Sequence, residues 1–149
     1  GLVGVETARS QALVGFCNQQ RVALKNLAVE MDTPFCAITL SSLDGQAIGQ
    51  AGRLLLTVTG RAENSGMAWN AKRISLEDWG KAPARIEVVK GKVLLKGLQG
   101  AQAVLAQALD AAGQGQGAGT RISCAATDGG WTLPVGQAAT TWYAITVRR

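Results

Sequence analysis

Histidine is absent from all 149 residues. That removes Ser-His and Cys-His nucleophilic pairs, histidine metal sites and imidazole acid-base catalysis together. Cysteine is scarce, and Cys17, Cys36 and Cys124 show no C-x-x-C spacing, so neither a zinc site nor a dithiol redox motif is encoded. Three cysteines cannot all pair with one another. Two readings stay open: buried free thiols acting as small hydrophobes, or one disulfide with one thiol left over. No apolar run approaches the length of a membrane span, and the opening GLVGVETARSQ lacks the charged start and apolar core of a signal peptide. Charged residues make up only 17%, and the net charge of +5 is spread along the chain with carboxylates interleaved, whereas a nucleic-acid footprint would be clustered. Neither nucleic acid nor a membrane is an expected partner. The tract GQGQGAG lacks the lysine and the strand-to-helix setting of a phosphate loop.

What is present reads as β structure. The chain is 47% apolar with 19 glycines, and its length is enough for one domain, residues 1–149, to bury a core without disulfides or metal. Cys36, Ile38 and Leu40, and again Leu54, Leu56 and Val58, alternate with Thr39, Ser41, Thr57 and Thr59 at the period of half-buried strands. Asp44-Gly45 between them has the chemistry of a tight reversal. Further strands are expected at residues 2–6, 11–16, 21–30, 85–90, 92–98, 120–126, 131–135 and 142–147, punctuated by Gly, Asn, Asp or Pro. IEVVKGKVLLKG reads as a hairpin about Gly91. Only Gln102 to Ala112 favours helix by propensity, and it stays ambiguous. Many short strands without alternating helices predict an all-β fold: an antiparallel two-sheet β-sandwich, jelly-roll-like. Ile38, Leu40, Leu54, Leu56, Val58, Ile86, Val88, Ile122, Ile145 and Val147 are expected inside it.

Ten carboxylates offer many pairings for a glycosidase-type mechanism, but nothing in the sequence singles one out. No catalytic residue, catalytic metal or cofactor is expected. Asp44 and Asp128 are oxygen donors of the type a structural calcium uses, without the spacing of a defined calcium loop. The four tryptophans divide by their surroundings. Trp131 alternates with Leu133 and Val135 and is expected in the core. Trp142 lies opposite the face of Tyr143, Ile145 and Val147, and Trp79 sits among turn formers and charges, so both are candidates for exposed rings. Trp69 is balanced between the two. An exposed ring can stack on the C–H face of a sugar while polar side chains bind its hydroxyls. Arg61, Glu63, Asn64, Asn70 and Arg73 form a polar run denser than a loop requires.

The order SSLDG, RLLLTVTG, RAENSGMAWN, WGKAP, IEVVKGKVLL and TTWYAITV resembles the C-terminal β-sandwich domain that follows the catalytic barrel in some bacterial multimodular glycoside hydrolases. VETARSQ is similar to that unit's first strand, with Glu6 where the pattern has aspartate and Ala8 where it has proline. The resemblance spans nearly the whole chain. It implies a noncatalytic, secreted module of a larger enzyme whose partners are a polysaccharide and the attached catalytic domain. Two roles follow: a carbohydrate-binding module using Trp79, Trp142 and Trp69 with the polar run, or a structural accessory domain that packs on the catalytic barrel without binding glycan. The chain is on this reading an excised C-terminal domain. Its positive charge admits a uronate-bearing glycan as well as a neutral one.

Overall fold

In the computed structural model, which describes residues 1–17, 19–117 and 120–149, alternation becomes two facing sheets. The strands are β1 (Leu2–Glu6), β2 (Ser10–Phe16), β3 (Val22–Ala23), β4 (Leu27–Met31), β5 (Phe35–Ser42), β6 (Arg53–Thr59), β7 (Ala62–Ser65), β8 (Ala68–Trp69), β9 (Leu76–Asp78), β10 (Lys81–Ile86), β11 (Gly91–Leu95), β12 (Ala103–Ala108), β13 (Arg121–Ser123), β14 (Ala125–Thr127), β15 (Gly130–Val135) and β16 (Trp142–Arg148). One sheet runs β1-β2-β5-β6-β16-β12-β13, the other β14-β15-β11-β4-β3, and β7 with β10 and β8 with β9 make two small ribbons. Every pairing is antiparallel. The protein is an all-β sandwich of jelly-roll type, its chain switching sheets repeatedly. Among the described residues no helix is long and apolar enough to cross a membrane.

The inward side chains follow the expected period. Ile38 and Leu40 of β5, Leu54, Leu56 and Val58 of β6, and Tyr143, Ile145 and Val147 of β16 meet Val29, Val93, Leu95 and Leu133 of the opposing sheet. Trp131 is half-buried against this core, as is Ile122. Ile86 and Val88 are not in it: they are 52% and 40% exposed. Period two places a side chain on one face of a strand but cannot supply a second sheet to cover it. β10 pairs only with β7, outside the sandwich.

Other readings change as well. Gly91 is not a hairpin turn, because β10 joins the small ribbon whereas β11 enters the five-stranded sheet between β4 and β15. Ala103 to Ala108 is strand β12, paired on both sides by β13 and β16, so tertiary pairing overrides its helix propensity. The run 120–126 is two strands in different sheets, crossing at buried Cys124. The run 21–30 is broken at Asn26 into β3 and β4. The glycine tract after Gln114 carries an isolated bridge between Leu109 and Gly115, and its Ala118 and Gly119 lie outside the described residues.

The link from β5 to β6 is a ten-residue loop, 43–52, rather than a tight reversal, because Ile48 and Ala51 dip into the core. Asp44 organises it. Its carboxylate accepts from the Gly52 amide at 2.7 Å, the Arg53 amide at 3.2 Å, the Gln46 amide at 3.3 Å and the Ser42 hydroxyl at 3.0 Å. These donors, the Gly52 amide foremost, hold its pKa below the ordinary 3.8. A carboxyl depressed on folding contributes stability above its unfolded pKa and loses it as pH falls through the lower folded value. Wild-type urea midpoints should therefore fall below about pH 4 more steeply than those of Asp44→Asn. Parallel curves for the two proteins between pH 2.5 and 6 would contradict this. No group of three or more Asp, Glu or Cys side chains that could hold a cation gathers among the described residues.

Candidate functional site

Between β6 and β11 the chain leaves the sandwich for residues 60–88, and this excursion carries the whole of the polar run. β7 and β10 pair Glu63 with Arg85 and Ala62 with Ile86, the register shifting between Lys81 and Ala84. Beyond them, β8 and β9 are joined by a turn that Asn70 builds. Its side-chain Oδ1 accepts from the Ile74 amide at 3.0 Å, its carbonyl from the Arg73 amide at 2.8 Å, and its own amide donates to the Ser75 carbonyl at 2.9 Å. Asn64 Nδ2 donates to the Trp79 carbonyl at 3.1 Å, fixing the backbone under an indole that is 74% exposed.

Charge is paired across the excursion. Arg61 grips Glu87 with two prongs, Nε to Oε2 at 3.1 Å and Nη2 to Oε1 at 3.3 Å, while the Glu87 amide donates to the Arg61 carbonyl at 2.8 Å. The Arg61 guanidinium holds the Glu87 carboxyl below the usual carboxylate range, and Glu87 in turn raises the pKa of Arg61. Arg73 Nη2 meets Glu63 Oε1 at 2.5 Å, and its guanidinium lies 5.6 Å from the centroid of the Trp69 ring. Both pairs are largely solvated, so they orient side chains rather than stabilise the fold appreciably.

Two clefts meet at this cluster. One, about 420 Å³, is lined by Arg61, Glu63, Asn64, Arg73 and Arg85 and closed at one side by Ile86 and Glu87. The other, about 360 Å³ and more apolar, is lined by the same Ile86 and Glu87 with Val88, Leu109, Asp110 and Trp142. Ile86 and Glu87 form the wall common to both. The result is one surface with a charged limb and an apolar limb, ending on an indole that is 40% exposed.

Of the residues expected from sequence, Arg61, Glu63, Asn64 and Arg73 share the charged limb, and Trp142 lines the apolar one. Trp69 is tied to them through Arg73. Asn70 lines neither cleft. Trp79 is prominently exposed on the same excursion but lines neither. Arg85, Ile86, Glu87, Val88 and Asp110 were not anticipated at the site; for Ile86 and Val88 the apolar alternation that signalled core was the misleading feature. No protein-family model matches the chain, and neither a curated protein nor a solved structure matches it.

Chemically the surface offers stacking, aliphatic contact and charge-assisted hydrogen bonding. Glu87 is held ionised, the reverse of the raised pKa that a glycosidase general acid requires.

Proposed function

We propose that this chain is a noncatalytic carbohydrate-binding module that holds a polysaccharide along the paired clefts and targets an attached, secreted glycoside hydrolase to it. The observation carrying this reading is the shared wall of Ile86 and Glu87. It sets an exposed ring and exposed aliphatic side chains directly beside a cluster of guanidinium and carboxylate groups. A sugar needs that combination, because its C–H faces stack on apolar surface while its hydroxyls demand donors and acceptors. The pairing of Arg61 with Glu87 and of Arg73 with Glu63 holds those groups in place before the ligand arrives, which lowers the ordering cost of binding. Trp79 supplies a second ring along the excursion, where a long chain can reach it.

Titrating the protein with β-glucans, xylans, mannans and uronate-bearing polysaccharides tests the reading. Dissociation constants of roughly micromolar to millimolar are expected, about 4 to 8 kcal/mol. Trp142→Ala should weaken binding by on the order of 1 kcal/mol, roughly fivefold, with the thermal midpoint little changed. Trp79→Ala reports whether the ligand extends along the excursion. No affinity for any glycan, or affinity untouched by both substitutions in folded protein, rejects the proposed surface. The charged limb holds three arginines against two glutamates. Uronate-bearing chains should accordingly bind more tightly than neutral ones, and their affinity should fall as salt is added.

A second reading, a structural accessory domain packed on a catalytic barrel, is favoured by a different surface. Val3, Val5, Val14 and Phe16 are 63%, 51%, 39% and 51% exposed, and Phe16 packs edge-on against Phe35 at 5.2 Å between ring centroids. All lie at the β1-β2-β5 end of the seven-stranded sheet. Val3→Asp with Phe16→Asp should release this chain from a neighbouring catalytic domain and leave glycan affinity intact, so the two readings separate experimentally.

A further inference from the structure

Cys17 and Cys36 stand at the point where the chain leaves the seven-stranded sheet and the point where it returns. Phe16 pairs with Phe35 and Gly15 with Cys36 in the ladder between β2 and β5, and the Cys17 amide donates to the Pro34 carbonyl at 3.0 Å. The two cysteines are therefore diagonal neighbours on the core face. Both are buried, 2% and 0% exposed, and their sulfurs are 3.6 Å apart. That is contact distance between thiols, and the ordered antiparallel ladder beneath them fixes their mutual orientation. Cys124 lies elsewhere, at the crossing from β13 to β14, where its amide donates to the Val104 carbonyl.

We propose that Cys17 and Cys36 are a disulfide site: in an oxidising compartment they close to a bond that fastens both feet of the segment 17–36, leaving Cys124 as a buried thiol. The sulfurs must approach by about 1.5 Å to reach bonding distance, within reach of small side-chain rotations. The oxidant is a small disulfide such as oxidised glutathione. One cysteine thiolate attacks it, giving a mixed disulfide and releasing one glutathione thiol; the second cysteine, losing its proton, attacks the protein sulfur of that mixed disulfide and expels the second. Two protons and two electrons pass from the protein to glutathione, and no other reactant is needed. Burial, followed by the adjacent Cys17 sulfur, pushes the Cys36 thiol up to about 12. Both sulfurs are closed off from an external disulfide in the finished fold, so the bond forms while the segment is still open during folding. This inference stands apart from any role in glycan binding.

The test is to refold the denatured, reduced chain in oxidised and reduced glutathione, block remaining thiols under denaturing conditions, and map the linkages by peptide mass spectrometry. The expected product is one peptide pair joining Cys17 to Cys36 and a single blocked thiol at Cys124. Its thermal midpoint should lie about 5–10 °C above that of protein refolded and melted in reductant, from the entropy of a loop of this size. Cys124→Ser should give the same linkage with no blocked thiol. Three blocked thiols in folded protein, or a linkage through Cys124, overturns the pairing; a midpoint indifferent to reductant overturns the fastening. If Cys124→Ser fails to fold, the wild-type map alone decides.

Discussion

Gly91→Ala should destabilise the protein by on the order of 4 kcal/mol, a large part of the about 5–15 kcal/mol that separates folded from unfolded chains. Gly91 opens β11 with a φ of 149°, inside the region that side-chain-bearing residues avoid. It sits between Met31 of β4 and Val135 of β15 in the five-stranded sheet. A Cβ there would lie 2.5 Å from the Glu30 carbonyl oxygen and 2.7 Å from Met31 Cα, both backbone atoms of a hydrogen-bonded neighbour. Neither can move without breaking the ladder, so strain of about 1–3 kcal/mol from the backbone angle is compounded by a steric term. Gly45→Ala is the control. Its φ of 76° lies in the left-handed helical region, which alanine enters at a cost of about 1 kcal/mol, and nothing lies within 4 Å of the new methyl, so no steric term is added. Urea unfolding of both variants separates the contributions. Equal losses for the two would show that the close approach at Gly91 costs nothing.

The same residue marks the limit of what the sequence shows. Glycine between two apolar alternating runs reads as a turn, and in isolation IEVVKGKVLL is a sound hairpin pattern. What turns Gly91 into a strand residue is the arrival of β4 and β15 on either side, a long-range event with no local signature. The strands of the seven-stranded sheet are more legible, because β2, β5, β6 and β16 each bury one face only and so carry period two openly. β12 shows the opposite case. Ala103 to Ala108 is short, alanine-rich and weak in β propensity, and it is held by partners on both edges.

The candidate site divides similarly. Composition identified Arg61, Glu63, Asn64 and Arg73 because charged and amide residues cluster on one excursion, and the fold gathers those four along one cleft. Trp142 was legible as exposed because its neighbours Tyr143, Ile145 and Val147 claim the other face. Ile86 and Glu87 were not legible as a shared wall, since they come from the end of β10 and the residue after it, while Leu109 and Asp110 follow β12 and Trp142 opens β16, segments distant in sequence. Asn70 exemplifies an ambiguity of composition: an asparagine useful for hydrogen bonding to a ligand is equally useful for closing its own turn, and here its Oδ1 does the latter.

The sharpest polar contribution to the fold lies in the core. Gln11→Met should cost about 3 kcal/mol although it conserves volume and adds apolar surface. Gln11 occupies the inward face of β2 in line with Leu13, and only 1% of it is exposed. Its Oε1 accepts from the Asn26 backbone amide at 2.9 Å, and its Nε2 donates to Asn26 Oδ1 at 3.3 Å. Asn26, in turn, donates through Nδ2 to the Lys96 carbonyl at 2.9 Å, and the Lys96 amide donates back to the Asn26 carbonyl at 2.9 Å. One amide side chain in the seven-stranded sheet thus satisfies the break between β3 and β4 in the other sheet, where the backbone leaves its ladder. Methionine would leave the Asn26 amide and Oδ1 without partners in a space closed to water, about 1–3 kcal/mol for each group. Because Asn26→Ala deletes one of the same bonds, the double variant should lose at least about 1 kcal/mol less than the sum of the singles. Hydrogen exchange at the Asn26 amide should accelerate in Gln11→Met more than at core amides of β6, beyond what global destabilisation explains. Full additivity, or an Asn26 amide protected as in the wild type, would show that Gln11 does not fasten the two sheets together.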